Sequence, residues 1–289
     1  VAFDGNGDVL VGGYTHNGIN KDFFIAKYNG IDGGQLWQKD FNGLANGDDV
    51  VTALVVDSSG NLYVTGRSVN ASGNSDIYTI KYAGSDGTLL WEKSFNGAGN
   101  GYDTGEGIVF DPVDDNIMVG GTTFVGAGNR DYILIRYDAD GNIKAGWPKT
   151  LDRPISDETL YAMSVDRSGT VSLTGTTNSG VNDDVLTVKY DSDGIIISAS
   201  VYNGSADGDD APSSIATNAY GETFVAGITT TANDDLDYMV FLSEAQTMQS
   251  PTPFTVTQLY TEIDLNWTDN SLDEIGFELE RKTGTCSST

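Results

Sequence analysis

The chain has 289 residues, a length that allows one large all-β domain or two smaller domains. Its 42 Asp and Glu against 15 Lys and Arg give a formal charge of −27, which argues against nucleic acid and anionic lipid surfaces as partners. One Cys and one His exclude an internal disulfide framework and a metal site built from several histidines.

A sequence repeat of about 53 residues runs from the first residue to about residue 244. An aligned glycine occurs in five copies, at Gly13, Gly66, Gly121, Gly175 and Gly227. An aligned aspartate follows it, at Asp22, Asp76, Asp131, Asp184 and Asp237. A tryptophan marks three copies, at Trp37, Trp91 and Trp147, and Ser198 stands in the fourth. Recurrence within one chain indicates a repeated structural environment.

Each copy contains short segments with strand character. In the second copy these are residues 51–56, 61–65, 76–82 and 89–95, separated by turn sequences rich in Asp, Ser and Gly. The third segment is apolar on both faces, which is typical of a strand sandwiched between layers. The aligned glycine is expected to end the second strand and to permit a close approach of two backbones. We therefore predict an all-β fold, a β-propeller of four-stranded blades with about five repeats visible and a fifth copy that lacks a recognisable fourth strand.

Three stretches of the second copy carry a family resemblance. They are residues 57–66 (DSSGNLYVTG), 76–82 (DIYTIKY) and 87–91 (GTLLW). Together they resemble the bacterial SBBP-type β-propeller repeat, and the resemblance extends over residues 1 to about 244. It implies a secreted or surface-attached bacterial protein, in a family whose members mostly have no assigned activity.

The repeat fails after residue 246. Residues 247–254 contain Pro251 and Pro253 and are interpreted as a linker. Residues 255–289 resemble the N-terminal part of a fibronectin type III domain, in which a tryptophan on an early strand, Trp267 in this chain, anchors the sandwich. A complete domain needs roughly 90–100 residues, so this segment is expected to be a partial β-sandwich of a longer protein.

Acidic residues are expected to gather on one face of the propeller. Strands of a blade run antiparallel, so the loops that enter the first and third strands share a face. The second to fifth copies each place one acid at each of these two entries. The eight acids are Asp49, Asp76, Asp103, Asp131, Glu158, Asp184, Asp210 and Asp237. Close like charges repel unless neutralised and carboxylate oxygens suit Ca²⁺, so the eight are predicted metal ligands and Ca²⁺ the predicted cofactor.

A second interpretation of these acids stays open at this point. Aspartate side chains also accept hydrogen bonds from backbone N–H groups and thereby fix loops. The acid at the third-strand entry occurs in all five copies, and a repeated structural role is enough to explain that.

The blades are nearly alike, and this favours a non-enzymatic function. An enzyme is expected to make one blade differ from the others, and no such blade is recognised. The prediction is an extracellular or cell-surface structural or binding propeller, stabilised by Ca²⁺. A protein or glycan partner at the acidic face and membership of a larger surface assembly are expected. A nucleic-acid partner is not expected, because the chain is strongly acidic. A membrane span is not expected, because no apolar run approaches about 18 residues.

The alternative is a carbohydrate-active propeller, either a glycan-binding lectin, a polysaccharide lyase or a glycosidase. Tyr102 and Tyr161 are its candidates for stacking on sugar rings near the acidic loops. Asp103 is its candidate acid or base.

Overall fold

The structure is a computed structural model that describes residues 1–111, 113–114, 116–151, 153, 156–178, 180–218, 220–233, 235–243, 255–259 and 262–266. The chain divides into two units, Val1–Glu244 and Ala245–Thr289. The secondary structure of the described residues consists of β-strands joined by turns. None of these residues belongs to a helix long and apolar enough to cross a membrane.

The first unit contains five antiparallel sheets that succeed one another along the chain. The first sheet consists of β1 (Ala2–Phe3), β2 (Val9–His16), β3 (Lys21–Tyr28) and β4 (Gln35–Phe41). The second consists of β5 (Val50–Val56), β6 (Leu62–Val69), β7 (Ser75–Tyr82) and β8 (Leu89–Phe95). The third consists of β9 (Thr104–Phe110), β10 (Ile117–Gly126), β11 (Asn129–Tyr137) and β12 (Lys149–Leu151).

The last two sheets of this unit follow the same plan. The fourth consists of β13 (Asp157–Val165), β14 (Val171–Asn178), β15 (Asp183–Tyr190) and β16 (Ile196–Tyr202). The fifth has three described strands, β17 (Ala211–Thr217), β18 (Thr223–Thr230) and β19 (Leu236–Ser243). Within every sheet the strands pair in chain order, so each sheet is a simple antiparallel meander.

The sheets pack face to face, and their apolar side chains form the core between them. Leu10 of the first sheet packs with Leu62 of the second, Ile77 of the second with Ile117 of the third, and further clusters join the third to the fourth and the fourth to the fifth. The first strands β5, β9, β13 and β17 contact one another from sheet to sheet. This arrangement confirms the predicted all-β, propeller-like fold.

Side chains of the repeat also tie each sheet to a turn of the next. The ammonium of Lys27 and the indole Nε1 of Trp37 both donate to the carbonyl oxygen of Gly84, at 3.1 and 3.2 Å. Lys81 and Trp91 do the same to Ala139, at 3.3 and 3.0 Å. The recurring lysine and tryptophan are therefore structural contacts between sheets.

A β-bulge in the first strands of the second to fifth sheets explains the glycine in four of the five copies. Gly66 pairs with Val51, next to the bulge in β5, and a methyl carbon at Gly66 would overlap the carbonyl oxygen of Val50. Three other copies show the same overlap, Gly121 with Thr104, Gly175 with Thr159 and Gly227 with Ala211. The predicted close backbone approach is therefore present, but the predicted strand end is wrong, because β6 continues past Gly66 to Val69.

The fifth sheet is buried on one face only. Met239 points toward the fourth sheet and is 6% exposed. The neighbouring side chains on the opposite face, Tyr238 and Val240, are 94% and 73% exposed. Among the described strands, those of the fifth sheet do not pack against the first sheet in the way that successive sheets pack together.

The described part of the second unit is a two-stranded antiparallel hairpin. Its strands are β20 (Thr255–Leu259) and β21 (Glu262–Asn266). The predicted linker and Trp267 lie outside the described residues, so the linker and the fibronectin-like sandwich stay predictions.

Candidate functional site

Four of the eight predicted acids lie just before or at the start of a first strand and are fully buried. Asp49, Asp103, Glu158 and Asp210, called here the first-strand acids, each have 0% exposure. Asp103 accepts hydrogen bonds from the backbone N–H groups of Gly97 and Phe124, at 2.7 and 2.8 Å, and from the Thr123 hydroxyl at 2.8 Å. Burial raises the pKa of the Asp103 carboxyl despite these donors.

Asp49 and Asp210 repeat this pattern, whereas Glu158 accepts the Thr177 hydroxyl at 2.9 Å and its Oε2 atom has no hydrogen-bond partner among the described residues. Asp49 accepts from Gly43 N–H at 2.6 Å and from Val69 N–H at 3.3 Å. Asp210 accepts from the N–H groups of Gly204 and Thr230, at 2.5 and 3.1 Å. The first-strand acids therefore close the loop that leads into each blade, which is the second of the two interpretations left open by the sequence.

The third-strand acids are less uniform. Asp76 and Asp131 are buried, and each accepts a hydrogen bond from an asparagine side chain, Asn70 at 2.6 Å and Asn129 at 3.1 Å. Asp184 is half-buried, and burial is the main cause that raises its pKa. The remaining acid of this set, Asp237, is exposed.

These donor sets do not fit a calcium cage. Ca²⁺ takes six to eight oxygen ligands, whereas the buried carboxylates here face N–H and O–H groups. Over the described ranges of the chain, no three or more His, Cys, Asp or Glu side chains gather in a way that could hold a metal ion. Calcium binding stays a prediction.

The residue just before each first-strand acid reveals a difference between blades. Asp48, Asp157 and Asp209 each accept a hydrogen bond of 3.0 Å from a backbone N–H at the start of the third strand of the preceding sheet. The donors are Lys21, Arg130 and Asp183, respectively. The third sheet has Tyr102 at this position, 46% exposed. The third sheet therefore lacks the carboxylate that accepts this hydrogen bond in the other sheets. The Tyr102 ring lies under the guanidinium of Arg67, with Cζ 5.8 Å from the ring centroid.

A second difference lies three residues after each first-strand acid, at the bulges. The unpaired bulge residues, called here the bulge row, are Thr52, Glu106, Tyr161 and Ser213. All four are at least partly exposed, and Tyr161 is 47% exposed. Bulges re-aim side chains and are frequent beside active sites. The same backbone feature thus presents aliphatic hydroxyls, a carboxyl and a phenol on four adjacent strands.

Glu106 stands out in the bulge row because it is the one carboxyl among the four. Burial raises the pKa of Glu106 above its ordinary value, and the positive charge of Arg67 acts in the opposite direction. The Thr52 hydroxyl donates to the carbonyl oxygen of Gly105, the residue before Glu106, at 2.5 Å. The neighbouring sheet therefore helps to fix the backbone that carries Glu106. Arg67, Tyr102 and Glu106 are called the Arg67 cluster below.

An open groove lies at the next junction on the same face. Its volume is about 460 Å³. It is lined by Ala127, Gly128, Asn129, Ser156, Asp157, Asn178 and Gly180. Arg130 clamps Asp157 at its edge through two side-chain hydrogen bonds, from Nε at 3.0 Å and from Nη2 at 2.5 Å.

The structure changes the candidates that the sequence offered. Tyr102 and Tyr161 are exposed on the expected face. Asp103 has no exposed surface, and its carboxylate already accepts three hydrogen bonds within the protein. It is therefore not placed to reach a substrate. Glu106 and Arg67 do not stand out in the sequence, because neither residue recurs from copy to copy. The available signal was the opposite one, a position of the repeat at which the residue changes from copy to copy.

The comparisons with known proteins show that this chain is similar to them in fold alone. No family model matches the chain, and a search of curated proteins finds no relative. A solved structure of a protein of unknown function from Dyadobacter fermentans DSM 18053 has a TM-score of 0.56 and 10% identity, over 85% of this chain and 78% of that one. The resemblances to SBBP repeats and fibronectin modules therefore stay predictions.

A second similar structure is an ulvan lyase of polysaccharide lyase family PL25, bound to -[GlcA(1-4)Rha3S]-. Its TM-score is 0.54 at 12% identity, over 84% of this chain and 66% of the lyase, so this chain spans slightly less than two thirds of that protein's length. A putative exo-β-1,3-galactanase from Bifidobacterium bifidum S17 is also similar, with a TM-score of 0.43 and 10% identity, over 94% and 97% of the two chains.

These findings correct the prediction that the protein is not an enzyme. That prediction rested on the expectation that an enzyme makes one blade differ from the others, and no such blade was recognised in the sequence. The solved structures with this fold include a polysaccharide lyase, and the blades of this chain differ from one another at the bulge row and at Tyr102.

Proposed function

We propose that the protein is a carbohydrate-active propeller that binds a polysaccharide across the bulge row and cleaves it. The observation that carries this proposal is Glu106, a partly buried carboxyl with a raised pKa that a bulge presents within the electrostatic influence of Arg67, whose guanidinium lies over the exposed Tyr102. The fold similarity supports the proposal because a solved structure of similar fold is a polysaccharide lyase. The function itself is argued from the site, because one fold can host many functions.

The exposed tyrosines supply the surface on which a sugar would lie. Tyr102 and Tyr161 are each about half exposed, on the first strand's entry loop and on the neighbouring bulge. Aromatic rings bind the apolar faces of sugars, and their hydroxyls and nearby amides bind the sugar hydroxyls. The groove lined by Asn129 and Asn178 lies on the same face and would lengthen the surface available to a sugar chain. A polymeric substrate of this kind agrees with an extracellular or cell-surface location.

Glu106 would transfer the proton in the bond-breaking step. A general base works best when its pKa is near the working pH, and burial moves a glutamate in that direction. Because Glu106 would act in its ionised form, we expect the rate to rise with pH through a pKa above the ordinary value of 4.5. Below that pKa the carboxyl is protonated and the rate should fall.

The test is a screen of acidic and neutral polysaccharides with wild-type protein, Glu106→Gln and a control. The control is Glu92→Gln, an exposed glutamate of β8 far from the first strands in the pairing order of its sheet. New chain ends should appear with the wild type and Glu92→Gln, and Glu106→Gln should be slower by about 10²-fold or more. Binding to the same polysaccharide should survive in Glu106→Gln. Cleavage at the wild-type rate by Glu106→Gln, or no cleavage of any polysaccharide by the wild type, would overturn the proposal.

A further inference from the structure

Arg67 differs from the better-paired arginines of the chain. Arg130 is held by Asp157, and Arg136 is held by Asp111 and Asp114. Across the described residues no carboxylate oxygen lies within 4 Å of the guanidinium groups of Arg67, Arg153 and Arg167. Of these three, Arg67 is the one whose guanidinium lies over an aromatic ring, that of Tyr102.

The position of Arg67 is also particular to one blade. It follows the repeated glycine of the second copy, and the other copies have Tyr14, Thr122, Thr176 and Ile228 at that place. Arg67 is half-buried and lies over the ring of Tyr102, which limits the orientations of its guanidinium plane. A planar guanidinium held in this way is suited to bind a carboxylate through two parallel hydrogen bonds.

Resting on the proposed function, we propose that the Arg67 cluster binds the carboxylate of a uronate sugar and that the glycan is cleaved beside this sugar by elimination. Arg67 would pair with the C6 carboxylate, Tyr102 would support the guanidinium, and Glu106 would act on the neighbouring C5 carbon. The Arg67 cluster thus supplies a carboxylate partner and a base within one junction between two blades.

The elimination needs no water and no further reactant. Arg67 stabilises the negative charge that spreads onto the C6 carboxylate when the C5–H bond breaks. Glu106 accepts the C5 proton, and the electron pair of that bond forms a C4=C5 double bond. The C4–O glycosidic bond breaks, and Glu106 returns the proton to the departing oxygen. One carboxyl suffices for this sequence, whereas hydrolysis by the common route uses two.

The net charge of the chain narrows the substrate further. Asp48, Asp157 and Asp209 lie on the same face as Arg67, and the whole chain is strongly negative. A polymer with a charge on every sugar would be repelled over distances of about one Debye length, roughly 8–10 Å. A polymer in which single uronates are separated by neutral sugars would meet less repulsion and still offer Arg67 its carboxylate. The geometry therefore favours a glycan with isolated carboxylates.

Three oligosaccharide probes test this inference. The first alternates glucuronate with neutral sugars, the second is the same oligosaccharide with its carboxylates reduced to primary alcohols, and the third is a homopolymer of galacturonate. Binding is measured by calorimetry and elimination by the ultraviolet absorbance of the new double bond. The proteins are the wild type, Arg67→Gln, Arg67→Lys and the control Arg167→Gln, an exposed arginine in the turn after β13.

The wild type should bind the alternating oligosaccharide at least about tenfold more tightly than either other probe and should release an unsaturated product. Arg67→Gln should lose that tenfold preference, Arg67→Lys should recover part of it, and Arg167→Gln should behave as the wild type. Each variant should melt within a few degrees of the wild type. Equal binding of the carboxyl-reduced probe, or cleavage without an unsaturated product, would overturn this inference and leave the proposed function standing. Failure to bind or cleave any glycan would overturn both.

Discussion

The first-strand acids and the bulge row lie three residues apart on the same strands, yet they differ in every other respect. Asp103 and its equivalents are acids in all four blades and are fully buried. The bulge row changes from Thr52 to Glu106 to Tyr161 to Ser213, and all four residues are at least partly exposed. In a repeat protein, a residue type that recurs reports what the blade needs in order to fold. A position that keeps its backbone and changes its side chain is where an individual function can be placed.

The largest effect should come from the glycine that faces the bulge. Gly66→Ala should lower the free energy of unfolding by about 3 kcal/mol, because the new methyl group would overlap the Val50 carbonyl and the strands would have to separate. Gly13→Ala is the matched control, since a methyl carbon there meets no atom within 4 Å. Denaturant unfolding measures both. Equal losses in the two variants would contradict the role given to the bulge.

A smaller loss is expected at a first-strand acid. Asp49→Ala leaves the buried N–H groups of Gly43 and Val69 without an acceptor and should cost about 2 kcal/mol. Asp48→Ala, the exposed neighbour with one hydrogen bond to Lys21 N–H, should cost less than about 1 kcal/mol. Added Ca²⁺ should leave the difference unchanged if these acids are purely structural. A Ca²⁺-dependent rise in melting temperature that Asp49→Ala abolishes would restore the metal interpretation.

The smallest effects should separate members of the bulge row from one another. The Thr52 hydroxyl donates to the carbonyl oxygens of Gly105 and Thr65, at 2.5 and 3.2 Å, so Thr52→Val should cost about 1 kcal/mol. Tyr161→Phe removes an exposed hydroxyl and should change stability by less than about 0.5 kcal/mol. Thermal melting measures both variants. A large loss in Tyr161→Phe would show that the row is structural throughout.

Much of the fold could be predicted because the repeat multiplies a weak signal. The segments 76–82 and 89–95 agree with β7 and β8 to within one residue. The second strand was predicted too short, because Gly66 was interpreted as an end when it lies inside a strand opposite a bulge. A bulge depends on the register between two strands, and no local sequence pattern marks it.

The candidate site was less predictable for a related reason. Asp103 was a reasonable candidate acid from its residue type, and only the hydrogen bonds from Gly97, Thr123 and Phe124 show that its oxygens are already used. Glu106 lies three positions after Asp103 in the sequence. Its exposure follows from the bulge rather than from its neighbours in sequence. Arg67 becomes notable only when the structure places its guanidinium over the ring of Tyr102.

The half-covered fifth sheet gives the first unit a weak edge. Stability in stacked repeats is the sum of each unit and its contacts with neighbours, and this sheet packs on the fourth through Val185, Val225 and Met239. Tyr238 and Val240 contribute no burial to hold it in place. Amide protons of β19 should therefore exchange with solvent before those of β7 or β11, and fraying should start there while the sheets that carry Glu106 and Arg67 remain folded.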